Sequence, residues 1–143
     1  VTLRIALVSC VKSKRAERSA AKELYTSQLF RGLRAYAETN ADAWYVLSAE
    51  YGLLHPEAMV EPYDGTLNRM LKPERVAWAE RVETQLRTTL QPGAEVILLA
   101  GARYREGLEP FLVANGFAVT IPFKGLGLGK QLQKLKELNR DLQ

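Results

Sequence analysis

The chain has 143 residues, 47% hydrophobic and 25% charged, with a net charge of +4. These are the proportions of one folded domain and exclude a disordered or collagen-like chain. Its apolar runs are far shorter than the ~20 residues of a membrane span, no secretory leader is recognisable, and one cysteine and one histidine rule out an internal disulfide or a Cys/His metal cluster within the chain. The expectation is a cytoplasmic protein without a membrane partner, cofactor or metal.

Charge is unevenly distributed. Residues 1–36 hold eight Lys/Arg against two Asp/Glu, residues 37–123 seven against twelve, and residues 124–143 five against two. A fold that joins the two basic ends would present a positive face to an anion such as phosphate. Solvated helix faces would leave the same pattern.

The first predicted element is a strand over Arg4–Cys10, a nearly continuous apolar run. At its carboxyl end, Ser9 and Cys10 leave room for a ligand, and Lys12 and Lys14 alternate with Val11 and Ser13. Lysine binds phosphate as a point charge, so both ammonium groups are candidates for one anion. A buried cysteine followed by a solvated basic loop fits equally. Ser27 then caps a helix running to about Glu38, with Leu29, Phe30, Leu33 and Ala37 on one face.

The second strand is Ala43–Ala49, and it leads into Leu47–Leu53, LSAEYGL. Gly52 permits a turn that other residues resist. Ser48 offers a hydroxyl to a ligand, and Tyr51 offers an aromatic face that can stack on a base or close the core. The connection Glu50–Lys72 is too long for a simple turn, and such loops tend to carry function. It contains Glu61-Pro62-Tyr63-Asp64-Gly65-Thr66. Asp64 is a candidate base or charge stabiliser, with Tyr63 stacking beside it. As Asp-Gly, it is also a plain turn former. His55 precedes Pro56 in the same loop and reads as structural.

Pro73 opens a helix to about Leu90, with Val76, Ala79, Val82 and Leu86 as its apolar stripe. The third strand is Glu95–Gly101. A helix over about Tyr104–Ala114 stops at Asn115-Gly116. The fourth strand, Phe117–Pro122, is followed by Phe123-Lys124-Gly125-Leu126-Gly127-Leu128-Gly129-Lys130, and then a helix over roughly Lys130–Leu142. Backbone amides of Gly127–Lys130 at that helix start make a candidate anion site through Gly127, Gly129 and Lys130. The loop lacks the Walker A spacing and, after the fourth strand, is misplaced for a dinucleotide fingerprint, which argues against an ATPase or dehydrogenase.

The order βαβαβαβα predicts an α/β fold, a three-layer α/β/α sandwich around a four-stranded parallel sheet of order 2-1-3-4. The switch point between strands one and three then places a ligand over Ser9, Cys10, Ala100 and Gly101.

Together, the strand ending in Ser-Cys, the segment Leu24-Tyr25-x-Ser27-x-x-Phe30, LSAEYGL, EPYDGTL and the closing Gly-Leu-Gly-x-Gly resemble an uncharacterised family of small bacterial and phage domains. That family is similar to the YaaA-like peroxide-stress proteins and to the domain of archaeosine synthase. The resemblance implies a fold similar to uracil-DNA glycosylases. Pro62-Tyr63 beside an acidic residue is similar to their water-activating loop, although there the aspartate precedes the proline, whereas here Glu61 precedes it and Asp64 follows. The expected function is therefore an enzyme acting on an N-glycosidic, base–sugar bond in a nucleotide or nucleic acid. Asp64 would be catalytic. Ser9, Cys10, Ser48, Tyr51, Tyr63 and Gly101 would hold the base, and Lys12, Lys14 and Lys130 the phosphate. A non-catalytic nucleic-acid-binding stress protein and a small-nucleotide-binding transferase domain remain the alternatives.

Overall fold

The computed structural model of the chain describes residues 2–9 and 14–140. In chain order the elements are β1 (Arg4–Ser9), β2 (Ser19–Ala20), α1 (Ala21–Leu24), α2 (Gln28–Asn40), β3 (Ala43–Ser48), β4 (Gly52–Leu54) and β5 (Met59–Val60). A 3-10 turn at Leu67–Arg69 precedes α3 (Lys72–Thr89), β6 (Glu95–Leu99), α4 (Ala102–Ala114), β7 (Ala118–Thr120) and α5 (Leu128–Asn139).

The main sheet has five strands, in the order β4-β3-β1-β6-β7. The four predicted strands keep their expected order, 2-1-3-4, as β3-β1-β6-β7, but the expected four-stranded, all-parallel sheet is corrected by a fifth strand, β4, at its edge. Strands β3, β1, β6 and β7 run parallel, and β4 folds back antiparallel on the free edge of β3. The extra strand is three residues long, too short for its alternation to stand out in the sequence. Its first residue, Gly52, sits at φ +75°, a conformation glycine adopts without penalty. Just before it, the Tyr51 N–H donates to Ser48 Oγ at 3.0 Å and closes the turn. Two further short strands, β2 and β5, pair antiparallel inside segments that the pattern leaves as loops.

Every residue of β1 and β6 after the first is buried. Both faces of the sheet centre are therefore covered, as continuous apolar runs imply. Helix α2 packs on α5 and α3 packs on α4, and these pairs supply the cover. The Ser27 side chain caps α2 by accepting the Phe30 N–H at 3.0 Å. In α3 the buried stripe is Trp78, Ala79, Val82 and Leu86, while Val76 is 48% exposed. Trp78 takes the place predicted for Val76 because its Nε1–H reaches the Ser48 carbonyl at 2.8 Å. That bond satisfies the polar end of a ring whose body fills the core. Helices α4 and α5 each begin two residues earlier than predicted, at glycine N-caps Gly101 and Gly127.

Candidate ligand site at the carboxyl edge of the sheet

Parallel strands β1 and β6 are neighbours and end side by side. Ser9 closes β1, is buried, and its Oγ accepts the Gly101 N–H at 3.3 Å. Gly101 sits between β6 and α4, and its carbonyl accepts the N–H groups of Tyr104 and Arg105 at 3.0 and 3.1 Å. Above these ends lies a cavity of about 320 Å³. Ser9, Gly101, Asn68, Arg105, Lys124 and Gln131 supply its polar lining, and Leu29, Leu33, Ile121 and Phe123 are among its apolar walls. Among the described residues, no aspartate or glutamate lines it. An open α/β sheet holds ligands in this place, outside the carboxyl ends of its strands.

A second cluster forms around the end of β3. Ser48 Oγ donates to the Tyr63 hydroxyl at 2.9 Å, and the hydroxyls of Tyr25 and Tyr63 are 2.7 Å apart. The rings of Tyr51 and Tyr63 meet edge to face with centroids 5.6 Å apart. The Tyr51 hydroxyl donates to the Glu61 carbonyl at 3.0 Å. Lys14 Nζ lies 4.4 Å from the Tyr63 ring centroid, within cation–π range. The structure thus joins Ser48, Tyr51, Tyr63 and Lys14 in one aromatic and hydroxyl cluster.

Asp64 follows this cluster. Its side chain is exposed and, among the described residues, joins no hydrogen bond or ion pair. Glu61 reaches the Arg18 guanidinium at 3.6 Å. Gly127, Gly129 and Lys130 are exposed at the start of α5 and do not line the cavity, although Gly125 and Gln131 on either side of them do. His55 Nδ1 accepts the Glu57 N–H at 3.1 Å in its own turn, and its ring meets that of Tyr45. The expectations for Cys10 and Lys12 fall outside the described residues.

Of the sequence candidates, the cavity collects Ser9 and Gly101, and the β3 cluster collects Ser48, Tyr51, Tyr63 and Lys14. Sequence reading missed Arg105 and Lys124. Arg105 reads as one more charge on a helix surface while that helix is started at Tyr104. Once α4 begins at Ala102, Arg105 falls one turn past Gly101, and helical side chains lean toward the N-terminus. The spacing Gly-Ala-Arg-Tyr-Arg after a buried strand was the available signal. Among the described residues no group of His, Cys, Asp or Glu is arranged to hold a metal ion, and no helix is long and apolar enough to cross a membrane.

Comparison with known proteins gives a family but no activity. Residues 5–137 match the family of unknown function DUF6884, and the chain belongs to that family. It is 28% identical over 141 residues, 92% of each chain, to a protein of Bacillus subtilis (strain 168) described as uncharacterized protein YfjM. No solved structure matches it.

Proposed function

We propose that this DUF6884 chain is a nucleotide-directed enzyme that acts on a base–sugar bond. The observation that carries the reading is the cavity at the carboxyl ends of β1 and β6, whose lining among the described residues holds Arg105 and Lys124 and no carboxylate. A pocket with apolar walls and a few convergent polar groups is the usual form of a small-molecule site. Its charge suits an anion, and Tyr51 and Tyr63, outside that lining at the end of β3, would stack on the base.

In this reading the ligand reaches from the cavity to the loop after the tyrosine cluster, where Asp64, outside the cavity lining, accepts a proton from water as the water oxygen bonds to the anomeric carbon. The bond from that carbon to the base nitrogen breaks, and the departing base takes up a proton from solvent. Among the described residues Asp64 joins no ion pair, which leaves it free to stabilise the cationic sugar that develops. Tyr63 is held by Ser48 and Tyr25, so the backbone just before Asp64 is anchored to the sheet.

Chromatographic detection of free base from a panel of nucleosides, nucleotides and oligonucleotides tests this. Asp64→Asn is expected to lower release by roughly 10²–10⁴-fold, the usual worth of general acid–base catalysis, with ligand affinity largely intact. Absence of base release from every substrate would sink the enzyme reading. One observation favours a second reading, nucleic-acid binding without catalysis: α2 and α5, from the two basic ends of the chain, pack together. It predicts oligonucleotide affinity that falls steeply with salt.

A further inference from the structure

The cavity holds a cationic group that nothing else in the fold uses. Arg105 is the fourth residue of α4 and lines the cavity. Its Nε is buried and has no hydrogen-bond partner, and among the described residues its side chain joins no ion pair. Arg4 Nε is likewise buried without a hydrogen-bond partner, but it lies 3.6 Å from the Glu95 carboxylate, and the remaining partly buried arginines are bonded. Arg34 bonds Glu23, Glu38 and the Lys22 carbonyl, and Arg75 bonds Glu106 and the Met70 carbonyl. Buried donors in native proteins are nearly always satisfied, so an unsatisfied guanidinium N–H at a cavity wall calls for an explanation.

Three further observations point to the same ligand chemistry. Lys124 adds a second cation to the lining, and among the described residues no carboxylate is there to neutralise either one. Gly101 caps α4 without a side chain, and a Cβ built on it would meet nothing within 4 Å among the described residues. The volume, about 320 Å³, is near the lower end of the ~300–1,000 Å³ typical of small-molecule sites. That is room for one nucleotide unit.

We infer that the cavity is a phosphate-monoester site, with Arg105 as the principal donor and Lys124 as a supporting charge. The guanidinium offers planar paired donors that match phosphate oxygens, and the lysine acts as a point charge. The inference rests on the nucleotide reading and narrows it: the substrate is a mononucleotide, held by its phosphate.

Isothermal titration of the purified chain tests this, using inorganic phosphate, nucleoside 5′-monophosphates, the matching nucleosides and a single-stranded oligonucleotide. Monophosphates are expected to bind and inorganic phosphate to compete with them. Arg105→Gln is expected to weaken monophosphates roughly 10- to 100-fold, the loss of charge-assisted hydrogen bonds, while nucleosides are unaffected. Arg105→Lys should recover part of the loss. Lys124→Gln, at an exposed position, should weaken monophosphates several-fold without touching helix packing. Equal monophosphate affinity in wild type and Arg105→Gln, no monophosphate binding, or oligonucleotide binding indifferent to Arg105 would overturn the site. The two readings fail separately. Arg105-dependent monophosphate binding without any base release keeps the phosphate site and sinks base–sugar chemistry. Base release from nucleosides, unchanged by Arg105→Gln, does the reverse.

Discussion

Ser48 shows how much one small side chain can organise. It is wholly buried, yet its hydroxyl accepts from the Tyr51 N–H and donates to the Tyr63 hydroxyl, and its carbonyl accepts from Trp78. A hydroxyl has a single proton to give, and here it goes to Tyr63. That ties the end of β3 to the turn before β4, to α3 and to the loop that carries Asp64. Replacing Ser48 with Ala leaves the Tyr51 N–H without its acceptor and removes the Ser48 hydrogen bond to Tyr63. The expected cost is about 1–3 kcal/mol, read from the denaturant midpoint. An unchanged midpoint would mean that the network contributes nothing to stability. The sequence marked Ser48, Tyr51 and Tyr63 as residues of interest because small, hydroxylated and aromatic side chains at a strand end suit a ligand. It could not reveal that they bond one another, because residues 48 and 63 meet only through the fold.

At the scale of elements, the ends of the helices were readable and their contacts were not. Ser27, Pro73 and Asn115-Gly116 act on the adjacent backbone, so local chemistry sets α2, α3 and α4 to within a few residues. The approach of α3 to α4 depends instead on Gly107. A Cβ there would lie 2.6 Å from Ala79 Cβ, closer than two carbons can stand. In an exposed helix, Gly→Ala gains about 0.5–1 kcal/mol. Here the sign reverses: Gly107→Ala must separate the helices, and overpacking of this kind typically costs about 1–3 kcal/mol. A thermal midpoint higher than wild type would show that α4 shifts without penalty. The same reasoning explains β4, whose existence depends on Gly52 at φ +75° and on the Leu53 N–H donating to Gln85 Oε1 of α3 at 2.9 Å. That partner lies 32 residues away in the chain, beyond any local pattern.

At the scale of the whole molecule, the fold joins the two basic ends. Helix α5 packs on α2, where Leu135 fits over Gly32 and the Asn139 amide donates to the Gly32 carbonyl at 3.2 Å. Ion pairs bind other distant segments. Glu106 of α4 bonds Arg75 of α3, and Glu57 bonds Lys22. The hydrogen bond from its cationic partner, with the partner's charge, holds each carboxyl below the ordinary glutamate range. A carboxyl depressed in the folded state stabilises above its unfolded value, about 4.3, and that contribution is lost as pH falls through the folded value. Glu106→Gln should therefore have a lower thermal midpoint than wild type at roughly pH 7, with the difference closing in acid as pH falls below the ordinary glutamate range. A gap that persists unchanged in acid would assign it to packing and not to charge.

The sequence by itself determined the α/β class, the parallel strands, the main helices and the small residues at the carboxyl edge. Each follows from backbone preference or from hydrophobic patterning along a contiguous stretch, which acts before any distant contact forms. Tertiary structure alone decided the fifth strand, the exchange of Val76 for Trp78 in the α3 stripe, the knot at Ser48 and the union of Arg105 and Lys124 at one cavity. These depend on separate segments meeting in space. Burial, free volume and the absence of a counter-charge are properties of that meeting, and no single segment carries them.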